Sequence, residues 1–173
     1  MTPGRYRTEK SIALVGMMGA GKSSVGRRLA KRLDLPFVDA DSEIEAAAGL
    51  SIAEMFETYG EPYFRDGERR VLARLIDGPV QVIATGGGAF IDERSRAALL
   101  ERCIVFWLDA EIETLATRVA RSDRRPLLRG QDPHEALSRL AAERRPVYAL
   151  ADHRIAVDAP ADDLVERILA ALA

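Results

Sequence analysis

The sequence has one cysteine among its 173 residues, so no disulfide can link two parts of the chain. A domain of this length buries roughly 70% of its unfolded surface and needs no such crosslink. The cysteine, Cys103, begins the apolar run 103–108, which favours a buried strand residue over a reactive thiol. Sparse cysteine is compatible with the reducing cytosol, and we predict a cytoplasmic protein.

Long apolar runs and a strong net charge are also absent. No run approaches the roughly 20 residues that a membrane-spanning helix needs, and residues 1–10 have no apolar signal core. We expect a flexible tail there, followed by a single domain over residues 11–173 without membrane contact. The formal net charge of −2 disfavours general nucleic-acid binding. Because such a domain is self-sufficient, we expect a monomer.

Short apolar runs alternate with stretches of helical periodicity along the domain. The predicted strands are 11–15, 36–39, 80–84, 103–108 and 155–157. The predicted helices are 22–33, 92–100, 111–120, 133–150 and 161–172, with helical pieces over about 42–75 that break near residues 49 and 60–62. This alternation predicts an α/β fold whose parallel sheet is covered by helices on both faces, with ligands at the carboxyl ends of the strands.

The first predicted strand leads into residues 16–23, which read GMMGAGKS and fit the phosphate-loop pattern G-x-x-x-x-G-K-[ST] at every position. Backbone N–H groups of such a loop cradle phosphate oxygens, and the helix that begins at Lys22 adds its positive end. We expect Lys22 to reach the β and γ phosphates and the Ser23 hydroxyl to ligate Mg²⁺. The sequence therefore predicts an ATP-binding phosphotransferase.

Acidic and glycine residues follow two further predicted strands. If the second strand continues to residue 41, Asp39 and Asp41 lie on the same side of it. One carboxylate can hold a metal-bound water and the other can take a proton from a substrate hydroxyl, although Asp41 also fits a helix N-cap. The third strand enters three consecutive glycines, 86–88, which are typical of backbone that closely approaches a ligand, or of a flexible turn.

Arginines add candidate anion sites. Arg65 lies one helical turn before Glu68, which fits either a surface ion pair or a fork for a substrate carboxylate aimed by Glu68. Arg144 can be a second fork, and the spacing alone does not decide between these interpretations. Five arginines and a single acid lie between residues 118 and 129, which indicates a small polyanionic ligand. The polar segment 121–132, interrupted by proline and glycine, is predicted to be a mobile loop.

Taken in order along the chain, these segments resemble the shikimate kinase family, and the resemblance covers nearly all of the chain after Lys10. The shared segments are GMMGAGKS (16–23), FVDAD (37–41), SIAEMF (51–56), GEPYFR (60–65), TGGGA (85–89), RPLL (125–128) and RRPVY (144–148). The resemblance implies a P-loop NTPase fold of the nucleoside monophosphate kinase type, with a five-stranded parallel sheet ordered 2-3-1-4-5 and a lid. It also implies transfer of the ATP γ-phosphoryl group to the 3-hydroxyl of shikimate, a step of chorismate and aromatic amino acid biosynthesis.

The resemblance further implies site residues. Lys22, Asp41 and Arg125 are the implied catalytic residues, with Asp41 as the base and Arg125 on the lid. The implied ATP-binding residues are Gly19, Ala20, Gly21, Lys22, Ser23, Ser24, Arg118 and Arg125. The implied shikimate-binding residues are Asp41, Phe56, Phe64, Arg65, Gly86, Gly87, Gly88 and Arg144. Mg²⁺ is implied as the cofactor, held by Ser23 and, through water, by Asp39.

Finer assignments stay open. Arg144 and Arg145 are adjacent, as are Arg124 and Arg125, so either member of each pair fits the family pattern. Arg118 resembles an arginine that stacks on adenine, and Pro160 is a candidate neighbour of the base.

Two other functions compete. A gluconate kinase shares the phosphate loop and also accepts a polyhydroxy acid. A nucleoside monophosphate kinase is less favoured, because Asp39 and Asp41 would repel the phosphate of its acceptor. A non-catalytic nucleotide-binding paralogue would be expected to lack Lys22, Asp41 or a lid arginine, and the sequence retains all three.

Overall fold

The computed structural model describes residues 6–121, 130 and 132–173. The strands are β1 (Ser11–Val15), β2 (Phe37–Asp39), β3 (Val82–Ala84), β4 (Cys103–Asp109) and β5 (His153–Ala156). The helices are α1 (Lys22–Leu33), α2 (Ala40–Ala48), α3 (Ile52–Tyr59), α4 (Glu61–Asp77), α5 (Glu93–Arg102), α6 (Ile112–Val119), α7 (Pro133–Tyr148) and α8 (Ala161–Leu172), with a short 3-10 turn at Ala89–Ile91.

The strands form one parallel sheet in the order β2-β3-β1-β4-β5, which confirms the predicted fold class and strand order. The central strand β1 pairs with β3 on one side and β4 on the other, so Leu14 lies between Ala84 and Phe106. Ile12 and Ala13 point to opposite faces of this strand, and neither is exposed to solvent. Both faces of the sheet are therefore covered, as expected for a parallel sheet.

Several predicted strand boundaries shift in the structure: β2 begins at Phe37 instead of residue 36, and β4 ends at Asp109 instead of residue 108. β3 begins at Val82 instead of residue 80, because the Gln81 N–H donates to the Ser11 hydroxyl at 3.0 Å. β5 begins at His153 and ends at Ala156, since its partners are Phe106 to Asp109 of β4. The bounds of β1, α1 and α8 agree with the prediction.

The segment after β2 corrects the expectation that Asp39 and Asp41 share an extended strand. β2 ends at Asp39, whose Oδ1 accepts a hydrogen bond from the Ser42 N–H at 3.2 Å and so caps α2. Asp41 lies in the first turn of that helix, where a carboxylate is favoured by the helix dipole. The N-cap is therefore Asp39, not Asp41, because the helix starts two residues earlier than residue 42.

The breaks predicted within residues 42–75 fall between α2, α3 and α4. Ser51 caps α3 by accepting from the Glu54 N–H at 3.1 Å, and Pro62 lies in the first turn of α4. The predicted lid over 121–132 lies outside the described residues apart from Arg121, Gly130 and Asp132. In the described ranges no helix combines the length and the hydrophobicity required to cross a bilayer.

Candidate active site

The phosphate loop lies between β1 and α1, at the carboxyl end of the central strand. Gly16, Gly19 and Gly21 have φ values of 145°, 83° and 95°, a region that L side chains rarely adopt. A Cβ atom on Gly16 would also lie 2.6 Å from the carbonyl oxygen of Leu108. The loop can therefore turn tightly against β4, and α1 begins behind it without a side-chain cap. Its first amide groups are thus suited to an anion.

Lys22 is the cation of this loop, and its side chain is largely buried. Its ammonium donates to the carbonyl oxygen of Gly16 at 2.5 Å and to that of Met17 at 3.1 Å. Only 9% of the residue is exposed. The loop backbone thus holds the ammonium beside the phosphate cradle that the sequence predicts.

Two side-chain oxygen atoms that could ligate a metal ion lie next to each other beside the loop. The Ser23 hydroxyl donates to Oδ2 of Asp39 at 2.5 Å, which links the first turn of α1 to the end of β2. Hydroxyl and carboxylate oxygens are ligands that Mg²⁺ prefers, and this ion keeps several waters and phosphate oxygens in its shell. No cluster of three or more acidic, histidine or cysteine side chains occurs in the part of the chain that the structure describes. The hydroxyl and carboxylate oxygens therefore fit a magnesium ion that keeps water and phosphate oxygens in its shell.

The residues 86–88, which we term the glycine platform, follow β3 and receive charged side chains from three helices. A Cβ atom on Gly86 would lie 2.7 Å from Oδ1 of Asp41, and one on Gly88 would lie 2.5 Å from Nη1 of Arg65. A Cβ atom on Gly87 would lie 3.5 Å from Nη1 of Arg144. A Cβ atom at Gly86 or Gly88 would displace Asp41 or Arg65, so these two glycines are required for close approach, whereas the Arg144 contact at Gly87 is an ordinary van der Waals distance.

Arg65 is held by two carboxylates of its own helix. Its Nη1 donates to Oε1 of Glu68 at 2.9 Å, and its Nε lies 3.4 Å from Oε1 of Glu61. Glu68 is only 2% exposed, so the alternative of a surface ion pair between Arg65 and Glu68 is wrong. Phe64 lies under the guanidinium, and its ring centroid is 4.9 Å from that of Phe56. The guanidinium thus lies between the Phe64 ring and the glycine platform.

Arg144 and Arg145 have different surroundings although they are adjacent. Arg144 is 8% exposed, and its buried Nη1 has no hydrogen-bond partner among the described residues. Arg145 instead contacts the Ala110 carbonyl oxygen at 3.4 Å, and 43% of its side chain is exposed. Because a buried guanidinium N–H without an acceptor is costly, Arg144 is the member of the pair that is suited to an anionic ligand.

A cavity of about 580 Å³ joins the phosphate loop to part of the glycine platform. Its lining includes Lys22, Ser23, Asp39, Asp41 and Arg118. The lining omits Phe56, Phe64, Arg65, Gly88 and Arg144; of these side chains, Arg65 and Arg144 lie beside the platform. The structure therefore brings the predicted nucleotide and acceptor residues to one region, with the arginine forks on its far side.

A second cavity of about 350 Å³ lies beside the loop and Arg118, and Pro160 and Leu164 line it. Arg118 donates to the Gly19 carbonyl oxygen at 3.0 Å. Ser24 lines both cavities, and its hydroxyl accepts a hydrogen bond from Arg28. The predicted adenine contacts thus lie together on one side of the phosphate loop. Arg124 and Arg125 lie outside the described residues.

Sequence reasoning missed three residues near the site. Glu45 and Ile52 line the larger cavity, and Oε2 of Glu45 accepts from the Ile52 N–H at 3.0 Å. Tyr148 lies beneath the glycine platform and donates to the Gly87 carbonyl oxygen. The one-turn spacing from Asp41 to Glu45 and the position of Tyr148 in the segment 144–148 were the available signals.

Burial raises the pKa of Glu68 above its ordinary value; Arg65 opposes the rise, and the Asp41 carboxylate adds to it. A raised folded-state pKa contributes stability below the unfolded value, near 4.5, and that contribution is lost as pH rises through the folded pKa. Glutamine does not titrate, so we expect Glu68→Gln to abolish this pH-dependent loss of stability. The melting temperature of the variant minus that of wild type should therefore increase by a few degrees from acid to neutral pH.

Thermal denaturation across that pH range measures this difference. Glu57→Gln is the matched control, since Glu57 is an exposed carboxylate on the neighbouring helix. It should keep the wild-type pH dependence, whereas parallel curves for Glu68→Gln and wild type would contradict the effect.

Comparisons with known proteins agree with one another. A family model described as shikimate kinase matches residues 18–173. A shikimate kinase of Caulobacter vibrioides is 57% identical over 164 residues, which cover 94% of this chain and 82% of that protein. One from Rhodopseudomonas palustris is 54% identical over 165 residues, covering 95% and 81%.

Solved structures of known proteins are also similar to this chain. The structure of shikimate kinase from Acinetobacter baumannii in complex with shikimate has a TM-score of 0.93 at 40% identity, covering 96% of this chain and 94% of that one. A gluconokinase from Sinorhizobium meliloti has a TM-score of 0.59 at 19% identity, covering 96% and 93%, a likeness that extends to the fold alone.

Proposed function

The chain belongs to the shikimate kinase family and is an ATP-dependent kinase, and from this premise we propose that it transfers the γ-phosphoryl group of ATP to the 3-hydroxyl of shikimate. One observation carries the proposal: Asp41, Arg65 and Arg144 converge on the glycine platform at the end of a cavity that the phosphate loop opens. A cyclic hydroxy acid needs cations for its carboxylate and an acceptor for its hydroxyl proton, and this cluster offers both.

The proposed nucleotide site is the phosphate loop with Arg118 and Ser24. Loop amides and Lys22 surround the phosphates, and the smaller cavity beside Pro160 accepts the adenine. Arg125 completes the phosphate contacts from the lid, as the family resemblance implies. Mg²⁺ would be held by Ser23 and, through water, by Asp39, where it neutralises developing charge on the phosphate oxygens.

The proposed acceptor site orients shikimate between charged groups and rings. Arg65 and Arg144 bind the carboxylate, Phe56 and Phe64 flank the ring, and the platform backbone contacts the substrate. Asp41 holds the reacting hydroxyl and accepts its proton as the oxygen attacks the γ phosphorus, while the bond from that phosphorus to the β–γ bridging oxygen breaks and ADP leaves with the electron pair. Transfer of this kind depends on position and positive charge, with little covalent work for the protein. We further propose that the enzyme acts as a monomer in the cytoplasm.

The test of this function is ADP release with Mg²⁺ and ATP against shikimate, gluconate and nucleoside monophosphates in parallel. Only shikimate should support turnover well above the rate of ATP hydrolysis in buffer. Equal or faster release with gluconate would favour the competing kinase, and no release with any acceptor would favour a non-catalytic nucleotide-binding protein.

Replacing Arg65 by lysine should raise the shikimate dissociation constant by about 10- to 100-fold and leave ATP binding within about twofold. Lysine keeps a positive charge beside Glu68, so the buried carboxylate stays paired, but it loses the planar fork that matches a carboxylate. Calorimetric titration with each ligand separately measures the two constants.

Arg70→Lys is the matched control for this test. Arg70 lies on the same helix, its side chain is 80% exposed, and it pairs with Asp66 at 2.9 Å away from the glycine platform. Its replacement should change neither constant. Equal losses of shikimate and ATP affinity in the Arg65 variant would contradict a specific contact with the carboxylate.

A further inference from the structure

Tyr148, the last residue of α7, is fully buried beneath the glycine platform. Its hydroxyl donates to the carbonyl oxygen of Gly87 at 2.5 Å. Its ring stacks with Trp107 at 5.9 Å and with Phe90 at 6.5 Å between centroids, so the phenol has little freedom to turn. Burial raises the pKa of Tyr148, which keeps the hydroxyl protonated as a donor at neutral pH.

This hydrogen bond fixes the direction of one peptide group. The peptide between Gly87 and Gly88 is planar and trans, so its N–H points opposite to its C=O. Because the carbonyl is turned toward the core, the Gly88 N–H is turned away from it. No acceptor for this N–H lies among the described residues. The Ala89 N–H donates to the Gly86 carbonyl oxygen at 3.2 Å, so this peptide is the central one of a turn, and its glycines allow two opposite orientations that both keep that hydrogen bond.

We propose that Tyr148 is a positioning residue for the acceptor substrate: its hydroxyl orients the Gly87–Gly88 peptide so that the Gly88 N–H faces the shikimate site. The proposal rests on the proposed function and adds to it a residue that is not itself in contact with substrate. Arg144 lies one helical turn before Tyr148 on α7 and adjoins Gly87. The same helix therefore sets both a carboxylate-binding cation and the backbone donor beside it, which fixes their relative positions.

The test is Tyr148→Phe, which removes the hydroxyl and keeps the ring in its stack. We expect the shikimate KM to rise about tenfold while the ATP KM stays within about twofold and kcat within about threefold, since one misaligned contact affects the ligand that it touches. In ¹H–¹⁵N spectra of the free protein, the Gly88 amide resonance should shift strongly. An unchanged shikimate KM in a folded variant, or an unmoved Gly88 resonance, would overturn the proposal.

Two controls separate positioning from loss of stability. Ile168→Val removes one methylene from the core on α8, away from both cavities, and should leave both KM values unchanged. Trp107→Phe loosens the packing of the Tyr148 ring but keeps the hydroxyl, so its shikimate KM should stay near wild type. A rise in Trp107→Phe equal to that in Tyr148→Phe would overturn the role of the hydroxyl. If the Tyr148 variant does not fold, a Gly88 amide resonance of the wild-type protein that is unchanged on titration with shikimate would overturn the proposal instead.

The wild-type assay keeps this proposal distinct from the function on which it rests. Failure of the wild-type enzyme to release ADP with shikimate would contradict the proposed function itself. Normal wild-type turnover with an unaffected Tyr148→Phe variant would contradict only the positioning role.

Discussion

Lys22→Ala is expected to lower kcat by about a thousandfold or more, which corresponds to roughly 4 kcal/mol of transition-state stabilisation. Phosphoryl transfer moves negative charge between the γ and β phosphates, and a positive charge beside them stabilises the transition state. The Lys22 ammonium is held by the carbonyl oxygens of Gly16 and Met17, within the loop that would surround the phosphates. The nearest other cations of α1 are engaged elsewhere, since Arg27 lies over the Phe37 ring and Arg28 pairs with Asp162.

Shikimate-dependent ADP release at saturating ATP measures this effect. Lys31→Ala is the matched control, since it removes an exposed ammonium from the same helix and should leave kcat unchanged. Because the Lys22 side chain also bonds to the loop backbone, melting temperatures of both variants are needed to exclude unfolding. Turnover of a folded Lys22→Ala protein near the wild-type rate would contradict the assignment of the loop as the catalytic phosphate site.

The regular elements were predictable because local patterns determine them. Helix α1 follows from apolar residues at helical spacing after a phosphate-loop sequence, and its predicted bounds agree with the structure. The alternation of strands and helices predicted the parallel sheet, whereas its strand order came from the family resemblance. The start of α2 was not predictable in this way, because the Asp39 carboxylate caps the helix in competition with continued strand pairing.

The surroundings of the arginines could not be read from spacing. Arg144 and Arg145 have similar local sequence, and a rotation of about 100° per helical residue separates the buried position from the exposed one. The direction of that rotation depends on which face of α7 packs against the sheet. In the same way, the Arg65–Glu68 spacing fits a surface pair or a buried one, and only the packing of α4 against the glycine platform distinguishes them.

The need for three consecutive glycines likewise comes from distant parts of the chain. Asp41 precedes the platform by more than one secondary-structure element, and Arg144 follows it by several. Asp41 and Arg65 approach positions where a Cβ atom would collide, whereas Arg144 contacts Gly87 at an ordinary van der Waals distance. The sequence indicated either a close approach or a flexible turn. The structure favours close approach by protein side chains, and these come from segments far away in the sequence, so no local pattern reveals them.

Asp41→Asn is expected to reduce kcat by about 10²- to 10⁴-fold while the ATP KM stays within about twofold. Asparagine keeps the size of the side chain, so its fit beside Gly86 is retained, but an amide cannot accept the proton of the attacking hydroxyl. Asp41 lies two residues after Asp39, which is bonded to Ser23 of the phosphate loop. The proposed base and the proposed metal-binding pair are thus held by one short connection between β2 and α2.

Glu43→Gln is the matched control for this variant, because it makes the same carboxylate-to-amide change in the first turn of α2. Glu43 pairs with Arg74 at 3.2 Å and is not part of the cavity lining, so its replacement should leave kcat unchanged. Steady-state kinetics with shikimate as the varied substrate then separates two roles of Asp41. A fall in kcat supports proton removal, whereas a rise in shikimate KM with unchanged kcat would show that Asp41 only orients the hydroxyl. The second result would contradict the base assignment and leave the Arg65 and Arg144 contacts as the source of acceptor binding.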